Sequence, residues 1–170
     1  MKYIGRFSLG DKIMISDPCY YLGVTWQGVV ENIIPGYWDA YIETVNTDYH
    51  GVKVSKLMII HIDYNDEYAG VTQNDINIKQ NFNIGADSGI VGIFDYDYYC
   101  KYHNESSVDK KWYAEQIYDQ LIENDEKADF TEFEGVISLS GYGDGCYDCF
   151  VCKNNNGEIV GVKIIYIYKD

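Results

Sequence analysis

The feature that most limits how this chain can fold is Asn156-Gly157, which separates two strand-like runs near the end of the sequence. A two-residue turn of type I′ needs φ > 0 at both central positions, and Asn-Gly is the pair that tolerates it best. Such a turn pairs Asn155 with Glu158 and, moving outward, Val151 with Val162, Cys149 with Ile164 and Tyr147 with Tyr166. Side chains alternate along a strand, so these six residues share one face, and all six are apolar or aromatic. That face is predicted to be core. Asp148, Phe150, Cys152, Gly161 and Lys163 share the other. A slip of one residue would bury Asp148 and Lys163, so the register is tightly specified. Ahead of the hairpin, Gly141, Gly143 and Gly145 alternate with other residues. A nucleotide-binding glycine pattern leaves a strand and opens a helix, whereas this one opens a strand, which predicts a tight turn or bulge.

The rest of the chain reads mostly as strands. Residues 2–9 and 12–16 are two short strands joined at Gly10-Asp11, and Pro18 ends the second by removing a ladder donor. Further strands are expected over 24–34, 37–46, 52–63, 76–84, 89–94 and 135–139, with turns at Pro35-Gly36 and residues 48–51. One helix is expected. Ser106 followed by Asp109 is a capping pattern, and Tyr113, Ala114, Ile117, Tyr118 and Leu121 form one apolar stripe up to about residue 124. Residues 125–133 read as an acidic connection. The expected fold is a single α+β domain over residues 1–170. It would be mostly antiparallel sheet, possibly two packed sheets, with one main helix late in the chain.

Charge narrows the partners. The 170 residues carry a net charge of −14, which argues against direct binding to nucleic acid or an anionic membrane through bulk charge. Residues 115–134 hold Glu115, Asp119, Glu123, Asp125, Glu126, Asp129, Glu132 and Glu134 against Lys127 alone. Those eight acids less one base give −7, half of the net charge, in twenty residues. Residues 2–6 run straight into a strand pattern with no apolar leader, no run is long enough to span a membrane, and the five cysteines have no framework spacing. Free thiols in a reducing cytoplasm are expected.

Several residues could carry chemistry, each with a plainer reading beside it. Cys146, Cys149 and Cys152 have ligand-like spacing, but a strand sends Cys149 to the face opposite the other two, so structural thiols are expected. His61 and Asp63 share a face of one strand, the minimum for a ligand pair. Asp17, Asp87, Asp95 and Asp144 sit at turns or strand ends. They could gather as a divalent-cation site, or each could cap its own turn through local hydrogen bonds. Trp112 lies opposite the apolar stripe of the helix, beside Glu115 and Asp119, where it is either covered by a loop or marks an interaction surface.

Four blocks together resemble the uncharacterised bacterial domain-of-unknown-function family 4241. They are Ser16-Asp17-Pro18-Cys19-Tyr20, Ala86-Asp87-Ser88-Gly89, Phe94-Asp95 and Ser140-Gly141-Tyr142-Gly143-Asp144-Gly145-Cys146-Tyr147. The resemblance implies that Asp87, Ser88, Gly89, Gly143, Asp144 and Gly145 belong to one loop cluster, and it implies no activity. Asp148 and the three-cysteine run depart from the pattern.

The expected function is that of a small acidic cytoplasmic binding protein, not an enzyme, acting by protein–protein contact in the manner of immunity proteins or phage inhibitors. Trp112, Glu115, Asp119, Glu123, Asp125, Glu126 and Asp129 would form the contact, and the partner would be a basic or nucleic-acid-binding protein. The first alternative is a small-ligand or cation binder, or an enzyme, using the loop cluster of Asp17, Asp87, Ser88 and Asp144. The second is a nucleic-acid mimic. No resident cofactor is expected; a divalent cation belongs only to the first alternative, at that cluster.

Overall fold

Three runs, at residues 13–15, 90–94 and 136–139, are apolar apart from Ser138 and lack regular polar alternation, the pattern of strands buried on both faces. They form the middle layer of the molecule. The computed structural model describes residues 1–64, 79–104, 110–123, 127–131 and 135–168. Its strands are β1 (Lys2–Leu9), β2 (Lys12–Ser16), β3 (Gly28–Glu31), β4 (Gly36–Thr47), β5 (Gly51–His61), β6 (Lys79–Ala86), β7 (Ile90–Asp95), β8 (Ala128–Thr131), β9 (Gly135–Leu139), β10 (Gly145–Lys153) and β11 (Ile159–Ile165). The helices are α1 (Tyr96–Asn104) and α2 (Lys110–Glu123), and Ile62–Tyr64 form a 3-10 turn.

One sheet has the order β1-β4-β5-β11-β10-β6 and the other β3-β2-β7-β9-β8, with antiparallel pairing between neighbours throughout. Between the sheets lie Trp38, Ala40, Leu57, Ile59, Ile84, Cys149 and Ile164 from the larger one and Ile13, Ile15, Val91, Ile93 and Val136 from the smaller. The far face of the smaller sheet offers Met14, Ile90, Phe94 and Ile137, which meet Tyr99 of α1 and Ile117 and Leu121 of α2. The layers are therefore sheet, sheet, helices. Each large apolar side chain buried this way contributes about 1.5–3 kcal/mol.

Four expectations need correction. First, β1 and β2 do not form a hairpin. β1 pairs with β4 and β2 with β3 and β7, so Gly10 carries the chain from one sheet to the other. Its N–H donates to Asp95 Oδ2 at 2.8 Å. Second, the described residues form two helices, not one. α1 begins where Asp95 Oδ1 accepts the N–H groups of Asp97 (3.0 Å) and Tyr98 (3.2 Å), an N-cap. Its sequence is dominated by tyrosine, a residue of strand preference, and burial of Tyr99 against Phe94 decides for helix. Third, residues 128–131 are strand β8, within the expected acidic connection. Fourth, residues 24–27 precede β3 in a loop. The expected capping pattern at Ser106 and Asp109 lies outside the described residues. Among the described residues no helix is long and apolar enough to cross a membrane.

The hairpin keeps its predicted register but not its predicted turn. Val151 pairs with Val162 and Cys149 with Ile164, and all six expected core residues are buried. Gly157 N–H donates to the Asn154 carbonyl at 3.0 Å, and Asn154 N–H to the Glu158 carbonyl at 2.9 Å. Gly157 has φ 81, whereas Asn156 is not among the positive-φ residues. This is a type I turn followed by a left-handed glycine. Asn154 Oδ1 favours it by accepting the N–H groups of Asn156 and Glu158. The extra loop residue is absorbed by a bulge between Cys152 and Lys153, which restores the pairing beyond. Gly157→Ala should therefore cost about 1–2 kcal/mol in urea unfolding, the penalty of a left-handed Cβ. Asn156→Ala should cost less than about 0.5 kcal/mol. A type I′ turn would make both costly.

Candidate functional site

The loop cluster sits where the chain crosses between the sheets. Residues 87–89 carry it from β6 to β7, residues 140–144 carry it back from β9 to β10, and Asp17 ends β2 beside them. Asp17 is fully buried. Its Oδ2 accepts the N–H groups of Asp87 (2.9 Å) and Ser88 (2.7 Å), and its Oδ1 accepts Cys19 N–H (3.0 Å) and Ser88 Oγ–H (2.8 Å). Four donors thus occupy one carboxylate. Burial raises the Asp17 pKa above the ordinary carboxylate value, and the bonds from Ser88, Cys19 and Asp87 oppose that rise without cancelling it.

The second crossing is tied to the first. Ser140 N–H donates to the Gly89 carbonyl at 2.9 Å, and Gly143 N–H to the Ser140 carbonyl at 2.7 Å. Tyr147 Oη–H reaches both the Ser140 carbonyl (2.9 Å) and the Gly143 carbonyl (2.6 Å), and Ser140 Oγ–H also donates to Gly143. Gly141 (φ 55) and Gly143 (φ 113) hold conformations that side chains rarely adopt, which explains glycine at these two places.

Asp87 and Asp144 remain exposed above this scaffold. With Ser88, Lys53, Tyr118 and Tyr142 they line an open cleft of about 250 Å³. The phenol of Tyr20 has its pKa raised by burial and further by the carboxylates of Asp17, Asp87 and Asp144, so all three acids act on one point. Tyr142 also lines a neighbouring cleft of about 540 Å³ with Asp48, Tyr49, His50 and Tyr168.

The structure thus brings Asp17, Asp87, Ser88 and Asp144 together, with different roles. The oxygens of Asp17 are taken by N–H and O–H donors, which a cation would have to displace. Ser88 Oγ donates to Asp17 and accepts Ile90 N–H at 3.3 Å, so its hydroxyl serves the loop. Among the described residues, no three His, Cys, Asp or Glu side chains gather as metal ligands. His61 is buried, 3.8 Å from the Asp63 carboxylate, and edge-on to Trp38. The five cysteines are free, with Cys149 and Cys152 buried and Cys146 exposed.

Of the expected contact residues, Glu115 and Asp119 are exposed on α2. Asp129 is held on β8 by Gln120 Nε2 and by Phe130 N–H at 2.7 Å, so it braces strand to helix. Trp112 and Glu123 lie on α2, but their side chains, like residues Asp125 and Glu126, lie outside the described residues. Tyr118 leaves the expected apolar stripe: Ile117 and Leu121 are buried, whereas Tyr118 is 42% exposed and turned to the cleft. Sequence reasoning missed Tyr118, Tyr142 and Lys53 as cleft residues. Tyr142 carries a signal, since an aromatic residue flanked by two glycines of a turn has little to pack against.

The model of a protein family of unknown function, DUF4241, matches residues 9–164. The chain belongs to that family. No curated protein and no solved structure matches it. The DUF4241 match spans both crossings, the Asp17 latch and the closing hairpin.

Asp17→Asn places an amide N–H against backbone N–H groups and should cost about 1–3 kcal/mol. The pH dependence has a definite sign. Because folding raises the pKa of Asp17, its contribution to stability is full below the ordinary carboxylate value and is lost as pH rises through the raised value. Urea unfolding across the acid range should show the advantage of the wild type over Asp17→Asn narrowing as pH increases.

Proposed function

We propose that this DUF4241 domain is a cytoplasmic binding protein that takes a cationic segment of a partner protein. One observation carries the reading. Tyr118 of α2 lines the cleft that holds Asp87 and Asp144, which ties the acidic helix to the loop acids. Glu115 lies one turn before Tyr118, Asp119 follows it, and both are exposed. Lys53 is the single base among the residues lining the cleft.

This surface suits lysine and arginine on electrostatic grounds. Carboxylates of one sign around a concave surface raise the local concentration of cations and steer their approach. The exposed rings of Tyr118 and Tyr142 offer faces over which an ammonium or guanidinium group is attracted. Glu115 and Asp119 stand at i and i+4, where like charges destabilise a helix by about 0.2–0.5 kcal/mol per pair. Retaining such a pair on a solvated face is consistent with selection for binding. Immunity proteins and phage-encoded inhibitors are classes in which a small acidic domain acts in this way. The free thiols accord with a reducing compartment.

The test is titration with fluorescent lysine- and arginine-rich peptides at several salt concentrations. Wild type should bind with a salt-dependent on-rate. Asp87→Asn with Asp144→Asn, and separately Glu115→Gln with Asp119→Asn, should each slow association by about tenfold and flatten its salt dependence. The thermal midpoint should stay level or rise slightly. Binding that both double variants leave intact would exclude the surface.

A further inference from the structure

Three tyrosines far apart in the sequence meet in one recess with their rings largely in solvent. Tyr49, on the β4–β5 turn, is 92% exposed, and Tyr142, on the glycine turn after β9, and Tyr168, beyond β11, are each 60% exposed. With His50 they line the open recess of about 540 Å³ beside the acidic cleft. That volume falls within the range of small-molecule sites, about 300–1,000 Å³. Single exposed rings are ordinary, but four rings from three segments around one recess need a reason beyond packing.

The fold sets these rings in place. Tyr142 and His50 have centroids 5.6 Å apart and planes at 76°, so the pair makes a near right-angled corner rather than a flat platform. His50 N–H donates to Thr47 Oγ at 3.2 Å. Tyr168 Oη–H donates to the Asp148 carboxylate, which also accepts Asn83 Nδ2–H at 3.1 Å. That bond occupies the Tyr168 hydroxyl and leaves the ring exposed, and a phenol donating to a carboxylate gains electron density in its ring. Asp48 adds a second acid, since it lines the recess itself. Among the described lining residues none is Lys or Arg. Lys53 pairs opposite Val45 of the recess wall but lines the acidic cleft.

We propose that the recess of Tyr49, His50, Tyr142 and Tyr168 binds a quaternary ammonium group. Such a group carries a positive charge inside a shell of methyls, has no N–H to satisfy, and is attracted to the faces of aromatic rings. A primary ammonium is strongly hydrated and needs acceptors for three N–H bonds. Thr47 Oγ in the wall is already used, since it donates to the Gly51 carbonyl at 2.8 Å and accepts His50 N–H. An anion is opposed by Asp48 and by the net charge of −14, and a neutral ligand gains nothing from either. Quaternary ammonium occurs on small molecules such as choline and on trimethylated lysine side chains, and the recess chemistry suits both. The inference does not rest on the acidic-cleft reading, although Tyr142 lines both surfaces.

Titration followed by NMR shifts of the tyrosine rings tests the proposal, with choline set against 3,3-dimethylbutan-1-ol, which has the same shape without the charge. Choline should bind, and the neutral isostere should bind about tenfold more weakly. Tyr168→Leu and Tyr49→Leu should each weaken choline by about threefold to tenfold with a level thermal midpoint. Should the Tyr168 variant prove unstable, Tyr142→Leu should weaken choline while Tyr142→Phe, which keeps the ring, retains it. A peptide of neutral residues bearing one trimethyl-lysine, beside its unmethylated form, separates the sources. Tighter binding of the methylated peptide than of choline assigns the site to a modified protein, and the reverse assigns it to a small molecule. The proposal is overturned if neither choline nor the methylated peptide binds, if the isostere or the unmethylated peptide binds as tightly, or if the ring variants leave affinity unchanged.

Discussion

The Asp17 carboxylate is the interaction on which the candidate site depends. A buried carboxylate is costly unless hydrogen-bonded, and four donors from two segments meet this one. Three are backbone N–H groups of loop residues, which would otherwise be buried without partners or exposed by a different loop path. The acid and the crossing loop therefore require each other. Removing the carboxylate leaves three amides unpaired, and moving the loop leaves the charge uncompensated. Such mutual need fixes a loop more sharply than apolar contact, because hydrogen bonds are directional and dispersion is not.

The same economy of contacts recurs at the second crossing. Tyr147 faces the core from β10 while its hydroxyl reaches back to the carbonyls of Ser140 and Gly143. Its ring meets Tyr166 edge-on, with centroids 5.1 Å apart, and Tyr166 Oη pairs with Ser138 Oγ at 3.0 Å. Apolar bodies fill the space between the sheets, and polar tips satisfy the turns at its rim. Burial raises the pKa of both phenols, so both are neutral at physiological pH and the hydroxyls can donate. The outward position of Asp87, Tyr142 and Asp144 follows. With the backbone of both loops committed inward, Asp87 and Asp144 turn to solvent, and the Tyr142 ring turns outward to meet His50 edge-on at 5.6 Å.

Much of this was legible in the sequence, and the failures have physical reasons. Alternation around Asn156-Gly157 gave the core face of the hairpin because period 2 is a property of the chain itself. The turn type was not legible, since Asn154 competes for the same N–H groups and its side chain decides in favour of the longer loop. The many short strands pointed to mostly antiparallel sheet, possibly in two packed layers, but not to which strands pair. β1 and β2 are adjacent in sequence, and the 2.8 Å bond from Gly10 N–H to Asp95, far along the chain, helps set them in different sheets. α1 was missed because its residues favour strand locally and tertiary burial overrides that preference. The loop cluster was found through motif resemblance, while the split between the structural Asp17 and the exposed Asp87 and Asp144 needed coordinates.

Tyr118 shows why the acidic helix and the loop cluster could not be joined from sequence. On a wheel it neighbours Ile117 and Leu121 closely enough to count with the apolar stripe. Of the expected stripe, Ile117 and Leu121 pack with Phe94 and Ile137, and Tyr118 does not. A narrow stripe leaves its flanking residue outside the contact. Tyrosine suits that position, as it can give its ring to a neighbouring surface and its hydroxyl to water. The surface that Tyr118 reaches is built by the two sheet crossings, and the rigidity of those crossings traces to Asp17 and Tyr147. The latch, the helix and the exposed acids are thus linked in one direction. The buried hydrogen bonds place the loops, the loops shape the cleft, and the flanking tyrosine of the helix completes its lining.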